Sequence, residues 1–268
     1  MNEQYGMNQF GKVSQLSLKA ACRGGKTILE DVYFTAPYKV MQPFEKAGGG
    51  IEVMPLCASA GIMKGDEQNF TYEVGEGADL EVLSQSFEKI HKMDGGSARR
   101  EILAKVAAGG TLYYYPQPVI PFAGSAFDSN MVIYLADETS KLFLLDIISC
   151  GRTARDERFA YRRFVSKVSI YRGEKLIYRD NTRYEPEKMP MEGIGMYEGY
   201  SHMANIFLTR SEDRELQEKI WEIIENEPDC EGGVSRLAGG DLAVRVFGNR
   251  AQILQTIAEK IKELYERG

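Results

Sequence analysis

The chain has 268 residues and a mass of 30.1 kDa, with 43% apolar and 27% charged residues and a formal net charge of -6. That is the composition of a globular protein able to bury a large core without disulfides, and its acidity speaks against a general nucleic-acid binder. Cys22, Cys57, Cys150 and Cys230 are scattered with no CxxC pair, which leaves neither a disulfide framework nor a zinc knuckle.

The first residues, MNEQYGMNQFGKV, lack a basic region followed by an apolar core, and no window approaches 18 apolar residues. The expectation is a cytoplasmic protein with neither a signal peptide nor a membrane span. Short strands broken by turns fill residues 11–93. Val13 to Leu18 alternates with period two, as does Thr27 to Phe34, and Ala36 to Val40 stays extended because a residue before proline avoids the helical region. Ile51 to Cys57, Phe70 to Val74 and Asp79 to Leu83 read as further strands.

An internal echo organises the middle of the chain. Val74-Gly-Glu-Gly-Ala-Asp-Leu80 returns as Val106-Ala-Ala-Gly-Gly-Thr-Leu112 and more loosely as Leu135-Ala-Asp-Glu-Thr-Ser-Lys-Leu142, at offsets of 32 and 29 residues. Each unit is a strand, a tight turn and a second strand. Such a period suggests wound or stacked sheets of the β-helix (solenoid) kind, with a sandwich as the alternative.

Phe164–Ile170 and Lys175–Tyr178 form a hairpin about Arg172-Gly173, Pro186 to Gly199 is an irregular loop, and His202 to Thr209 is a strand. Ser211 suits the N-cap of a helix from Glu212 to Asn226, which Pro228 stops. A strand from Asp241 to Phe247 precedes a helix from Arg250 to Arg267, with Ile253, Leu254, Ile257, Ile261 and Leu264 on one stripe. The fold expected is mainly β, with stacked solenoid-like sheets and two C-terminal α-helices. It is read as one domain over 1–268: β-rich from 10 to 209, helix-strand-helix from 211 to 267.

Few residues carry a chemical signal. Asp146 sits in Leu-Phe-Leu-Leu-Asp-Ile-Ile, where alternation puts it on the face of Leu144 and Ile148. A carboxylate there must be hydrogen-bonded, paired with a cation such as Arg152, or turned toward an internal channel. Gly151 to Arg158 is an anion site or a salt-bridged turn, with Glu157 a second acid that points inward. Asp66 and Glu67 belong to a turn whose acids are ordinarily solvated, and the same holds for Lys89. Only two histidines occur, His91 and His202, so the chain alone does not build an imidazole nickel or zinc site. No GxxxxGK[ST], GxGxxG, GxSxG or HExxH pattern is present.

An ordered set of segments nevertheless resembles the urease accessory protein family UreD, called UreH in some bacteria. They are Ala36-Pro-Tyr-Lys-Val40, Ser59-Ala-Gly-Ile-Met-Lys-Gly-Asp66, Val74-Gly-Glu-Gly-Ala78 and Ser84-Gln-Ser-Phe-Glu-Lys89. Tyr115-Pro-Gln-Pro-Val-Ile-Pro-Phe122 follows, then Leu145-Asp-Ile-Ile148 leading into Gly151-Arg-Thr-Ala-Arg-Asp-Glu157. The likeness runs from about residue 10 to 250. The chain departs from the family pattern at Arg155-Asp156-Glu157, where a Gly commonly precedes the Glu, and at Asp66-Glu67, where an Arg often follows the Asp.

The resemblance implies a non-enzymatic maturation factor with a β-helical fold. It implies binding to UreF, to the GTPase UreG through UreF, and to urease apoprotein, with assembly as a dimer of heterodimers with UreF. It further implies nickel(II) in transit through a water-filled tunnel, no tightly bound cofactor, and support for nickel delivery and lysine carbamylation in urease. Asp66, Ser86, Asp146 and Glu157 fall in matched segments and are the tunnel-lining candidates; the C-terminal helix and the 186–199 loop are candidate partner surfaces. The competing readings are a β-solenoid lyase or hydrolase acting on carbohydrate, and a polymerising structural solenoid.

Overall fold

The computed structural model describes residues 13–210 and 213–267. In chain order the strands are β1 (Ser14–Arg23), β2 (Lys26–Phe34), β3 (Tyr38–Lys39), β4 (Phe44–Glu45), β5 (Ile51–Val53), β6 (Leu56–Cys57), β7 (Glu67–Val74), β8 (Asp79–Leu83), β9 (Glu88–Ile90) and β10 (Ala98–Val106). They continue with β11 (Thr111–Tyr115), β12 (Val119–Pro121), β13 (Ala126–Leu135), β14 (Lys141–Ser149), β15 (Arg163–Arg172), β16 (Lys175–Tyr184) and β17 (His202–Leu208). Helix α1 (Leu216–Glu225), β18 (Cys230–Arg236), β19 (Leu242–Gly248) and helix α2 (Ala251–Arg267) complete the chain.

The chain winds. It runs through β7, β8 and β9, then β10, β11 and β12, then β13 and β14, each pass laying a strand parallel to its predecessor on every side. The first side grows into a seven-stranded sheet ordered β16-β15-β13-β10-β7-β1-β2, and the second into a larger sheet running β18-β19-β17-β14-β11-β8-β5-β4. Antiparallel strands close both sheets at their ends. Val74 pairs with Val106 and Val106 with Leu135, so the 32- and 29-residue offsets of the sequence echo are the register of the winding itself.

Alternation decides which residues meet between the sheets. Strand β10 turns Ala98, Arg100, Ile102, Ala104 and Val106 inward and Arg99, Glu101 and Lys105 outward. Leu18, Tyr72, Ile133 and Ile170 from the first sheet meet Leu80, Leu112, Leu142 and Phe207 from the second in one apolar cluster. Strand β14 is buried on both faces, which explains its continuous apolar run. Its other face, with Phe143, Leu145 and Ile147, packs under Leu216, Ile220 and Ile224 of α1 and Leu254, Ile257 and Ile261 of α2. Two sheets and a helical layer therefore stack in three tiers.

The tiers are tied by charge as well. Glu81 on β8 takes Lys262 of α2 at 2.5 Å and Lys46 at 3.0 Å, beneath the ring of Tyr113. Arg172 of β15 reaches Asp241 at 2.7 Å, and Arg245 of β19 reaches Asp180 of β16 at 3.1 Å.

The mainly β fold with two helices near the C-terminus agrees with the sequence reading, and several boundaries shift. Ile51 to Cys57 is two short strands, because Met54-Pro55 interrupts the pairing and β6 turns to β3. Strand β16 runs on to Tyr184. Helix α1 begins at Leu216 instead of Glu212, with Glu215 at its N-cap; Ser211 and Glu212 lie outside the described residues. Strand β18, Cys-Glu-Gly-Gly-Val-Ser-Arg, went unread because its two glycines erase the alternation. Gly232 fits only as glycine, since a Cβ there would lie 2.5 Å from the Arg245 carbonyl oxygen.

Leu112 is fully enclosed where the windings stack. Replacing it with Ala is expected to cost about 2–5 kcal/mol, read as a lower urea midpoint with an unchanged slope.

Candidate functional site

At one end of the space between the sheets the apolar packing gives way to a cavity of about 1320 Å³. The reason lies in the register. One inward row of the first sheet is polar throughout: Ser14, Gln68, Arg100, Ser129 and Ser166 stand on β1, β7, β10, β13 and β15 in successive pairings, and all five line the cavity. The next inward row, Leu16, Phe70, Ile102, Met131 and Val168, is apolar and also borders it. Tyr114, Leu144 and Asp146 face them from the second sheet.

The exposed end is formed by loops. Gly61 adopts φ +141°, and a Cβ there would sit 2.4 Å from the Lys89 carbonyl oxygen, so only glycine lets the 58–66 loop lie against β9. The Ile62 N–H donates to the Lys89 carbonyl at 2.8 Å, and the His91 N–H to the Ile62 carbonyl at 2.9 Å. Facing this loop, the Gln117 N–H donates to Ser84 Oγ at 2.7 Å, while the Gln117 side-chain oxygen takes the Gln255 amide of α2 at 2.8 Å. The proline-rich 116–121 segment is thus held between the cavity rim and the C-terminal helix.

Three of the four sequence candidates border this cavity and one does not. Asp66 stands at the loop end, where its Oδ2 accepts the Met63 N–H at 2.7 Å and fixes the turn. Ser86 is exposed on the rim. Asp146 lies deepest, accepting a hydrogen bond from Ser166 Oγ at 3.1 Å. Its carboxylate borders the cavity among protein atoms, and that burial pushes its pKa up to about 6. The Ser166 hydrogen bond opposes the shift and the negative charge of Asp180 adds to it.

Glu157 is absent from the lining. Arg152 grips its carboxylate, Nε at 2.7 Å and Nη2 closer still, and the Ala123 N–H adds a third bond at 3.2 Å. The Arg152 guanidinium holds this acid below the usual carboxylate range. The 151–158 segment is therefore a salt-bridged loop, and Arg152 belongs to Glu157 instead of Asp146.

The most elaborate polar group of the cavity escaped the sequence reading. Arg100 donates to Glu88 through Nη1 at 2.7 Å and through Nη2, and to Gln68 Oε1 through Nε at 2.8 Å and Nη2 at 2.6 Å. Gln68 in turn donates to the Tyr38 hydroxyl at 2.7 Å. The signal was available, since alternation along Ala98–Val106 puts Arg100 on the apolar face by the rule that singled out Asp146. Among the described residues no group of three or more His, Cys, Asp or Glu side chains is disposed to hold a metal ion. The site offers scattered oxygen donors without a closed ligand set.

Fold and cavity together define a wound β-sheet protein with an acid-bearing chamber between its sheets and helices on its back. The chain belongs to the UreD urease accessory protein family, whose model matches residues 12–267. It is 37% identical to the urease accessory protein UreD of Acetivibrio thermocellus over 96% of this chain and 98% of that protein. It is also 37% identical to the urease accessory protein UreH of Helicobacter pylori strain G27, over 96% and 97%. A more distant relative, UreD of Flavobacterium johnsoniae, is 25% identical over 93% and 91%. The family is an accessory one, and membership carries a role in urease maturation. Among the described residues no helix is long and apolar enough to cross a membrane.

Because the folded Asp146 carboxyl titrates above the 3.8 of a free aspartate, its ionised form costs stability in the fold. The wild type is therefore favoured at low pH and loses that advantage as pH rises from about 4 to about 6. Asp146→Asn carries no such dependence, so from pH 4 to 7 it should gain on the order of 2–3 kcal/mol relative to wild type in urea unfolding. A gap that stays flat with pH would refute the elevated pKa.

Proposed function

We propose that this protein is a non-catalytic urease maturation factor whose inter-sheet chamber carries nickel(II) in transit. It docks on urease apoprotein together with UreF and, through UreF, the GTPase UreG, and it works in the cytoplasm. The observation that carries the reading is the chamber itself, with Asp66 at its open end and Asp146 in its depth, the latter bonded to a serine and to no cation among the described residues. Nickel(II) accepts oxygen and nitrogen donors, and a passage must hold it loosely enough to let it go. Sparse oxygen donors suit release better than a closed ligand set.

The carbohydrate-enzyme alternative has less support. A glycosidase needs two carboxyl groups free to act on one bond. Among the described residues the lining acids are Asp66, Glu88 and Asp146; Asp66 is bonded within its turn and Glu88 rests on Arg100, so no two of them stand ready at rest as an acid pair.

Co-expression of urease apoprotein and its accessory set, with and without this chain, tests the proposal. Omission should reduce both urease-bound nickel and urea hydrolysis to background. Asp146→Ala, folded by its urea curve, should lower both. Urease that matures equally well without the chain would overturn the reading.

A further inference from the structure

The polar row that crosses the first sheet has a charge at its centre. Gln68, Arg100, Ser129 and Ser166 lie on neighbouring parallel strands, so Arg100 stands about 5 Å from Gln68 and about 10 Å from Ser166 at ordinary strand spacing. Asp66 immediately precedes the first of these strands, and Asp146 is bonded to Ser166 on the last. A cation moving along this wall from Asp66 to Asp146 must pass Arg100.

The two partners of the Arg100–Glu88 pair are held very differently. The Arg100 side chain is 9% exposed and has anchors that do not involve Glu88. Gln68 accepts from two of its nitrogens, and the rings of Phe70 and Phe127 flank the guanidinium at 5.1 and 5.4 Å. Glu88 is 24% exposed, borders the cavity, and takes its side-chain hydrogen bonds, among the described residues, from Arg100 alone. A guanidinium stays charged at any physiological pH. Glu88 is therefore the exchangeable member and Arg100 the fixed one.

Resting on the transit reading above, we propose that Arg100 and Glu88 form a cation-exchange gate in the chamber. A divalent cation entering from the Asp66 end takes Glu88 from Arg100, and the anchored guanidinium reclaims the carboxylate once the cation moves on to Asp146. At rest the pair presents no net charge to an approaching cation. While the cation is held, the neighbouring fixed positive charge weakens the grip of Glu88, so the site does not become a trap. Arg100 acts here as a positioning residue that never touches the metal.

The test is isothermal titration of the purified full chain with Ni²⁺ alone, for wild type, Arg100→Met, Glu88→Gln and the double variant, each checked by urea unfolding. Removing the competing cation should tighten Ni²⁺ binding about tenfold in Arg100→Met, a change of about 1.4 kcal/mol. The double variant should return to within about threefold of wild type, and Glu88→Gln alone, which leaves Arg100 uncompensated, should bind about tenfold more weakly. Loss of a nearby positive charge by itself tightens Ni²⁺ equally with or without Glu88, so a folded Arg100→Met that binds Ni²⁺ no more tightly, or a tightening that persists in the double variant, overturns the gate. Should Arg100→Met fail to fold, Glu88→Gln decides, and unchanged affinity there overturns it equally. The co-expression assay separates the two levels. If wild type is dispensable for urease nickel loading, the transit reading falls. If wild type is required and both single variants load urease at its rate, only the gate falls.

Discussion

The constraint on which everything else rests is parallel register. Once the chain returns every 30 residues or so to lie beside its earlier pass, whatever one strand turns inward is extended by the next. Four apolar rows make a close-packed core, and a single polar row borders a cavity. The cavity is thus the result of one row being written in Ser, Gln and Arg where its neighbours are written in Leu, Phe and Ile. Because the winding repeats the row five times, no single residue change would have created it.

That row is costly to keep. A buried guanidinium must be both neutralised and fully hydrogen-bonded, and Arg100 meets the requirement only through contributions from β7, β9 and two flanking rings. Asp146 is less well provided for. Its one serine donor does not offset its desolvation, which is why its carboxyl holds a proton into the mildly acidic range. Glu157 shows the contrast, with three hydrogen bonds and an arginine at the surface and a depressed pKa. An acid left incompletely satisfied inside a sheet protein is a candidate for a functional site.

How much was legible follows the same physics. The echo of Val74, Val106 and Leu135 is legible because register leaves an imprint at fixed spacing, and it points to wound or stacked sheets while leaving a sandwich open. The helices are readable from their apolar stripes, but Asp213 and Glu215 mimic the acid-rich first turn of a helix that starts only at Leu216. Alternation singles out Asp146, and it holds equally for Arg100 on Ala98–Val106. What alternation cannot supply is pairing across the space. The salt-bridged turn of Gly151 to Arg158 is legible locally, although alternation does not decide whether Arg152 takes Glu157 or Asp146, and nothing near Glu88 says that its partner lies twelve residues away on another side of the winding. Ser86 and Asp66 were placed at the cavity by resemblance, and their loops carry no periodicity from which a direction could be read.

The Glu81–Lys262 contact has a consequence for how the molecule is made. It joins residues 181 positions apart, and α2 is the last element of the described chain. During synthesis the windings can close as they emerge, but the back of the second sheet, with Phe143, Leu145 and Ile147, stays uncovered until the final helix leaves the ribosome. The nascent protein therefore passes through a stage with a finished chamber and an open, sticky back. That apolar face stays open to wrong contacts for as long as α1 and α2 take to emerge and dock.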